Sequence, residues 1–120
     1  MKSIEEIKNI LSNAHGTNQY HMFSPFREYP VLTDGVKALA EAADCFWLVN
    51  IIGSYQLDER LDPYFQVWKL EVNQETKEWV ITGCNDTKLI ITQTGDYTDF
   101  PLNGITLWVS HGVILLPSEW

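Results

Sequence analysis

Residues 97–120 read YTDFPLNGITLWVSHGVILLPSEW, and this stretch decides the fold class. Two apolar runs, Ile105–Ser110 and Val113–Leu116, flank the pair His111-Gly112. Two residues between such runs predict a tight β-hairpin, because Gly accepts a positive φ and His tolerates one better than most residues. A three-residue loop with a Gly bulge is the competing geometry. The stretch therefore predicts antiparallel β-structure.

Further strands are predicted before this hairpin. Tyr64–Val72, Glu78–Thr82 and Lys88–Thr94 either alternate apolar and polar residues or are rich in β-branched ones, and short polar loops separate them. Phe46–Tyr55 is apolar at both alternating sets of positions. This pattern is typical of a strand covered on both faces, so we expect it at the centre of the sheet.

Two helices are predicted in the first third of the chain. Ser3 precedes an apolar stripe at helical spacing, which predicts a helix over about Ile4–Asn13. Thr33 or Asp34 caps a second helix, over about Gly35–Ala43.

The segment between the helices, Thr17–Pro30, shows neither helical nor strand periodicity. Its apolar residues, among them Phe23 and Phe26, predict an ordered connection laid over the core, with one short strand at most. Helices first and strands later predict an α+β fold. We expect two N-terminal helices packed on a largely antiparallel sheet of about five to six strands, in a single domain over residues 1–120.

The charge of the chain restricts its partners. The sequence has 16 Asp and Glu against 8 Lys and Arg, which gives a formal net charge of −8. Direct binding to nucleic acid or to an anionic membrane requires a basic surface, so the charge argues against both. It permits a basic protein partner, meaning a protein that itself binds nucleic acid. The simpler interpretation is that acidity keeps a small protein soluble.

The sequence contains no recognisable catalytic, cofactor-binding or metal-binding motif. Cys45 adjoins an apolar run and is interpreted as a buried small hydrophobe, whereas Cys84 is placed in a turn. His15, His21 and His111 lack the spacing of metal ligands. We therefore expect no cofactor, metal or catalytic residue. Neither a signal peptide nor an apolar stretch of about 18 residues is present, so we expect a cytoplasmic location.

Acidic residues are concentrated in two predicted loops. Asp58, Glu59 and Asp62 lie in the first loop, and Asp96 and Asp99 lie in the second. Together they are predicted to form an acidic interaction surface. The simpler interpretations are a solvated first loop and, for the second, a turn in which a side chain bonds nearby backbone N–H groups.

The tryptophans are numerous for a chain of this length. Trp47, Trp68 and Trp79 lie in apolar contexts and are predicted to belong to the core. Trp120 follows Leu-Pro-Ser-Glu and has two interpretations, a plug that packs on the domain or an exposed interface anchor.

Four segments carry a family resemblance: LTDGVKALAEAADCFWLV (Leu32–Val49), FQVWKL (Phe65–Leu70), YTDFPL (Tyr97–Leu102) and LLPSEW (Leu115–Trp120). Together they resemble an uncharacterised family of small proteins from bacterial mobile elements and phages. The matching residues are Thr33, Asp34, Gly35, Trp47, Thr98, Asp99, Phe100, Pro101, Leu116, Pro117, Ser118 and Glu119. The resemblance runs from about Gly16 onward and leaves the first helix outside. It implies a small cytoplasmic protein encoded among accessory genes, and it implies no activity.

Three functions are compatible with these observations. The first is a non-enzymatic protein that binds another protein, in one version as a phage or mobile-element counter-defence factor. The second is a small-molecule- or metal-dependent enzyme with His21, Asp96, Asp99 or His111 in a pocket. The third is a homo-oligomer such as a homodimer, because the apolar segment Phe46–Tyr55 needs cover that two short helices do not supply.

Overall fold

A computed structural model describes residues 1–25 and 27–120 of the chain. In these residues three helices lie against a seven-stranded sheet. The helices are α1 (Ile4–Asn13), α2 (Asp34–Ala42) and α3 (Phe46–Tyr55), and a 3₁₀ turn spans Pro117–Glu119. The strands are β1 (Tyr20–Ser24), β2 (Arg27–Thr33), β3 (Gln66–Val72), β4 (Trp79–Asn85), β5 (Lys88–Gly95), β6 (Gly104–Ser110) and β7 (Val113–Leu115). The α+β class is confirmed, whereas the predicted numbers of helices and strands were too low.

The sheet is almost entirely antiparallel. Its strand order is β1-β2-β7-β6-β3-β4-β5. β2 and β7 pair in parallel, and the other neighbouring pairs run antiparallel. β7 lies between β2 and β6, so this three-residue strand joins the β1–β2 hairpin to the remaining four strands.

The first two helices confirm the sequence prediction. Ser3 Oγ accepts the N–H of Glu6 at 3.2 Å at the start of α1. Thr33 Oγ1 accepts the N–H of Val36 at 3.3 Å at the start of α2. Each cap satisfies a backbone donor that has no partner within its helix. The apolar stripes of both helices face inward except at Ile4, which is exposed, and Ile7 and Val36 are completely buried.

The segment Phe46–Tyr55 is helix α3, so the prediction of a central strand was wrong. Phe46, Asn50 and Ser54 form the exposed side of this helix, at a spacing of four residues. Its buried residues are Leu48, Val49, Ile52 and Gly53. A short run that is apolar at most positions fits a buried strand and a buried helix equally well, so periodicity alone did not separate them.

The connection between α1 and α2 contains two strands where at most one was expected. β1 and β2 form a hairpin in which Met22 lies opposite Val31. The Phe23 ring packs so closely on Gly53 of α3 that a Cβ at Gly53 would not fit. Phe26, which also belongs to the predicted connection, lies outside the described residues.

The hairpin that decided the fold class has the predicted two-residue turn. His111 and Gly112 both have a positive φ, of 50° and 79°. These values suit the turn types that match the twist of antiparallel strands, and the competing three-residue loop does not form. Cys84 was placed in a turn, and this was wrong, because β4 continues through it to Asn85.

The helices cover one face of the sheet. Trp68, Leu107 and Ile114 point to that face and are each at most 1% exposed. The Tyr55 ring of α3 stacks on Trp68 there, with ring centroids 5.8 Å apart. α2 packs on β1, β2 and β7 and also contacts α3, so it lies on the same side.

The opposite face is covered by no helix among the described residues, and we call it the open face. Its side chains share the strand phase that points away from the helices. Among them are the side chains of Tyr20, Met22, Val31, Phe65, Val67, Lys69, Glu71, Val80, Thr82, Cys84, Leu89, Thr92, Thr94, Thr106, Trp108, Ser110, Val113 and Leu115. Met22 is 67% exposed and Tyr20 is 62% exposed, so an apolar part of the face meets solvent.

Candidate functional site

Trp79, the first residue of β4, is the centre of the candidate site. Its partner across the β4–β5 pair is Gly95, and its indole occupies the space that a Cβ at Gly95 would need. The indole N–H donates to the carbonyl oxygen of Tyr97 at 3.1 Å. On its other side the Trp47 ring of α3 packs at a centroid distance of 5.1 Å and a tilt of 48°. The glycine opposite and the bond to residue 97 thus fix the orientation of the indole.

Two clefts adjoin this indole. The first holds about 450 Å³ between α3 and the end of β5, and Trp47, Tyr97 and Asp99 line it together with Trp79. The second holds about 590 Å³ on the far side of Trp79, where Glu71, Glu78 and Asp96 contribute carboxylates.

Trp47 and Trp79 were predicted to be core residues, and both are only partly buried. Trp68 is fully buried, as predicted.

The charges around Trp79 have one sign. Four carboxylates line the two clefts, and no Lys or Arg among the described residues lines either. Lys77 lies in the adjoining β3–β4 loop, where its ammonium donates to Gln74 Oε1 at 2.9 Å. The clefts therefore combine exposed aromatic surface with negative charge, which suits Lys and Arg side chains.

The turn after β5 positions Tyr97 and Asp99. Thr98 Oγ1 accepts the N–H of Phe100 at 3.1 Å, and the Thr98 N–H donates to the carbonyl oxygen of Lys77 at 2.9 Å. Phe100 is completely buried, so it anchors the turn in the core. The simpler interpretation of this segment, a turn held by a side-chain bond to the backbone, is correct for Thr98. Tyr97, which is 68% exposed, projects from this fixed turn into solvent.

The two acidic loops do not form one surface. Asn85 lies at the far end of β4 from Trp79 and contacts the first loop. Its side chain accepts a hydrogen bond from the N–H of Asp62 at 2.7 Å and donates one to the carbonyl oxygen of Arg60 at 2.9 Å. Asp96 follows the opposite end of β5. At about 3.3 Å per residue, the eight residues of β5 separate the loops by roughly 23 Å.

Within the first loop, Asp58 is paired internally. Its carboxylate accepts Nε and Nη2 of Arg60, with a shortest distance of 2.7 Å. The side-chain bond from Arg60 is the largest cause that lowers the pKa of Asp58, to about 2. Glu59 and Asp62 are exposed, but the Asp62 side chain accepts the N–H of Tyr64 at 2.9 Å. This loop therefore presents less free charge than its composition suggests.

The residues proposed for a catalytic pocket lie far apart. His21 is on β1 and Asp96 follows β5, and these strands form the two edges of the sheet. Six strand spacings of about 4.8 Å therefore separate the two residues by roughly 29 Å. His111 occupies the β6–β7 turn, where its ring contacts Tyr64 at a centroid distance of 5.4 Å. The prediction that these side chains share one pocket was wrong. Among the described residues, no group of three or more His, Cys, Asp or Glu side chains is arranged to hold a metal ion.

Trp120 is both packed and exposed. Its ring contacts Phe65 and Trp108 edge-on, at centroid distances of 5.9 and 5.8 Å, and those two rings contact each other at 5.3 Å. The side chain is nevertheless 72% exposed. Trp120 thus packs on the open face and presents most of its surface to solvent, and its role as an interface anchor stays a prediction.

A polar cluster at the start of α2 was not predicted. Glu119 Oε1 accepts the hydroxyl of Thr33 at 2.6 Å and the N–H of Leu116 at 2.9 Å, and Glu119 Oε2 accepts the N–H of Gly35 at 3.2 Å. Asp34 Oδ1 lies 2.7 Å from His21 Nε2, and this hydrogen bond is the largest cause that lowers the pKa of Asp34. The contacts join positions up to 86 residues apart, so no local pattern reveals them.

Comparison with known proteins gives a family. Residues 5–120 match the family model of DUF6876, a family of unknown function. The chain belongs to DUF6876. The match includes α1 from its second residue onward, which the resemblance in the sequence had left outside. No curated protein and no solved structure matches the chain.

The structure brings together several of the segments that carry the family resemblance in the sequence. Thr33-Asp34-Gly35 and the LPSE segment meet at Glu119. Trp47 and the TDF segment meet at the cleft beside Trp79. The Glu119 contacts hold the C-terminal 3₁₀ turn against the start of α2. The contact between Trp47 and the TDF segment borders the candidate site. None of the described helices of this DUF6876 chain is long and apolar enough to cross a membrane.

Proposed function

We propose that this protein is a non-catalytic binding protein that recognises a basic protein partner through the surface around Trp79. The observation that carries the proposal is the pair of clefts at this indole, lined by four carboxylates and exposed aromatic rings without a Lys or Arg among the described residues. Aromatic residues dominate the binding energy of protein interfaces, and complementary charges set the rate and specificity of association.

The aromatic rings and the carboxylates of the clefts contribute differently to binding. A Lys or Arg side chain of the partner lies against the face of Trp47 or Tyr97, an interaction worth about 0.5–2 kcal/mol. Asp96 and Asp99 are exposed, so each ion pair with the partner contributes only about 0.2–1 kcal/mol. Useful affinity therefore requires several cations on the partner, which matches a protein with a basic surface rather than a small cation.

Proteins that bind nucleic acid carry such a basic surface, and we propose this class as the partner. An acidic protein that occupies this surface competes with the phosphate backbone. That is the action of a counter-defence factor of a phage or mobile element, and it takes place in the cytoplasm. The net charge of −8 supports this proposal.

The test compares charge reversal at two places on the same protein. The wild type, the double variant Asp96→Lys/Asp99→Lys and the control Glu59→Lys/Glu41→Lys are immobilised and exposed to an extract of the native host. All four altered side chains are exposed, and both double variants change the net charge by +4. We expect a basic nucleic-acid-binding protein that the wild type and the control retain and that the Asp96/Asp99 variant loses.

Ionic strength provides the second measurement. The Debye length falls from about 30 Å at 0.01 M to about 8 Å at 0.15 M salt, so retention of the partner should weaken over this range. Tyr97→Ala should weaken retention at every salt concentration, because it removes aromatic contact rather than charge. Retention that ignores salt, or that both double variants reduce equally, contradicts the proposal.

A further inference from the structure

Most of the open face is apolar surface that the proposed basic partner leaves unused. Its β4–β5 end belongs to the candidate site, because Glu71, Val80 and Thr94 also line the second cleft. Phe65, Trp108 and Trp120 form a mutually contacting aromatic cluster on the open face. Towards the β1 edge the apolar surface continues through Val113, Val31 and Met22. A contiguous exposed patch of this kind marks an interaction surface in a soluble protein.

The charge of this face differs from that of the molecule. From β1 to β6 in the sheet order, the open-face residues named above carry no charge, and on β3 Lys69 is balanced by Glu71. The carboxylates of the second cleft lie beyond this part, at the β4–β5 end. This part therefore offers little negative charge to a basic partner, and it brings no net charge of a second acidic copy into the contact.

The size of the face fits a pair of sheets. Away from the second cleft the face spans five strands, from β1 to β3 in the sheet order. With strands about 4.8 Å apart and roughly six residues long, its projected area is on the order of 500 Å². Stable interfaces bury about 800 Å² of accessible surface per partner, and side-chain relief raises accessible area above projected area. Two such sheets stacked face to face lie about 10 Å apart, which their interdigitated side chains fill.

We propose that the open face pairs with the same face of a second copy to form a symmetric homodimer, with Trp120 as an anchor on each side. Lys69 and Glu71 are two residues apart on β3. A two-fold axis passing between them places Lys69 of each copy against Glu71 of the other. The contact is thus complementary to itself in charge, as a two-fold interface requires.

Sedimentation velocity over a dilution series tests the dimer. We expect the wild-type mass to rise to twice the chain mass of 13.8 kDa as concentration increases. Added salt should strengthen the dimer, because it screens the repulsion between two acidic subunits. Added salt should weaken binding of the proposed basic partner. The two proposals therefore predict opposite effects of salt, and each can fail without the other.

Variants locate the interface. Met22→Asp and Thr106→Arg lie on the open face and should each raise the dimer Kd at least about tenfold. The control Leu57→Asp alters a side chain that is 75% exposed in the loop after α3, and it should leave the Kd unchanged. Unchanged circular dichroism shows that each variant is folded. A wild type that stays monomeric at low and high salt, or a dimer that Leu57→Asp disrupts and the open-face variants do not, overturns the proposal.

Discussion

At the scale of single residues, the two cysteines show how environment sets reactivity. Both thiols are free. Cys45 is 1% exposed, and burial is the main cause that raises its pKa to about 12. Cys84 is half-buried on β4 and lies opposite Val67, on the open face. Since the thiolate is the reacting species and burial disfavours it in Cys45, Cys84 is the more reactive thiol.

We therefore expect iodoacetamide at pH 8 to modify Cys84 and leave Cys45 intact in the folded protein. Intact-mass and peptide mass spectrometry measure the two sites separately. In urea both residues should react. Rapid modification of Cys45 without denaturant would contradict the buried position of this thiol.

Asp58 provides a pH-dependent readout in the first acidic loop. Arg60 lowers the pKa of Asp58 in the folded state to about 2, below its usual value of 3.8. A lowered folded-state pKa means that the pair stabilises the fold above pH 4 or so, and that this contribution is lost as the pH falls through about 2.

NMR titration of the Asp58 carboxyl should show a midpoint near 2 in the wild type. In Arg60→Gln the midpoint should rise towards the usual value, because the charged donor is gone. Asp34, whose pKa is lowered mainly by its hydrogen bond with His21, is the internal control, and its midpoint should be the same in both proteins. An unchanged midpoint for Asp58 would show that the ion pair does not persist in solution.

At the scale of elements, α2 depends on residues far along the chain. Its first turn is capped by Thr33 and also by the Glu119 carboxylate from the 3₁₀ turn. A Cβ at Gly35 would lie 2.8 Å from Cδ of Glu119, so the glycine makes room for the carboxylate. Glycine in a helix otherwise costs about 0.5–1 kcal/mol relative to alanine.

These facts predict a change of sign in a double-mutant cycle. In the wild type, Gly35→Ala should lower the free energy of unfolding by about 1–3 kcal/mol, because the new methyl group displaces Glu119. In a Glu119→Ala background the same change should be neutral or stabilising by up to about 1 kcal/mol. Urea denaturation measures all four proteins.

Gly16→Ala is the control for this cycle, because nothing lies within 4 Å of a Cβ placed at Gly16. Its effect should add to that of Glu119→Ala without coupling. Additive effects of Gly35→Ala and Glu119→Ala would mean that the carboxylate does not occupy the start of α2.

Element types were predictable where the pattern was distinct and capped. α1 and α2 have polar caps and one-sided apolar stripes, and both were found within one residue. α3 lacks both features, since Cys45 makes no side-chain cap bond and most of the helix is apolar. Its helical signal was the exposed series Phe46, Asn50 and Ser54, which is weak because Phe46 is itself apolar.

At the scale of the whole molecule, the sequence predicted which residues are exposed better than it predicted which surface they share. Asp96, Asp99 and Trp120 do lie at exposed positions, but on different surfaces. The separation of the acidic loops follows from the strand order, which local patterns do not specify. Trp79 was interpreted as core because it lies in an apolar context. The structure instead packs its indole against Gly95 and places it at the edge of two clefts.

The position of β7 has a consequence for synthesis on the ribosome. β1 and β2 are complete once Thr33 has been made, but their neighbour in the sheet begins only at Val113. At about 5–20 residues per second, the 79 residues between them take roughly 4–16 s to translate. During that interval the edge of β2 that later pairs with β7 is exposed. The nascent chain should therefore be most dependent on chaperones, and most sensitive to pauses in translation, until the three residues of β7 have been made.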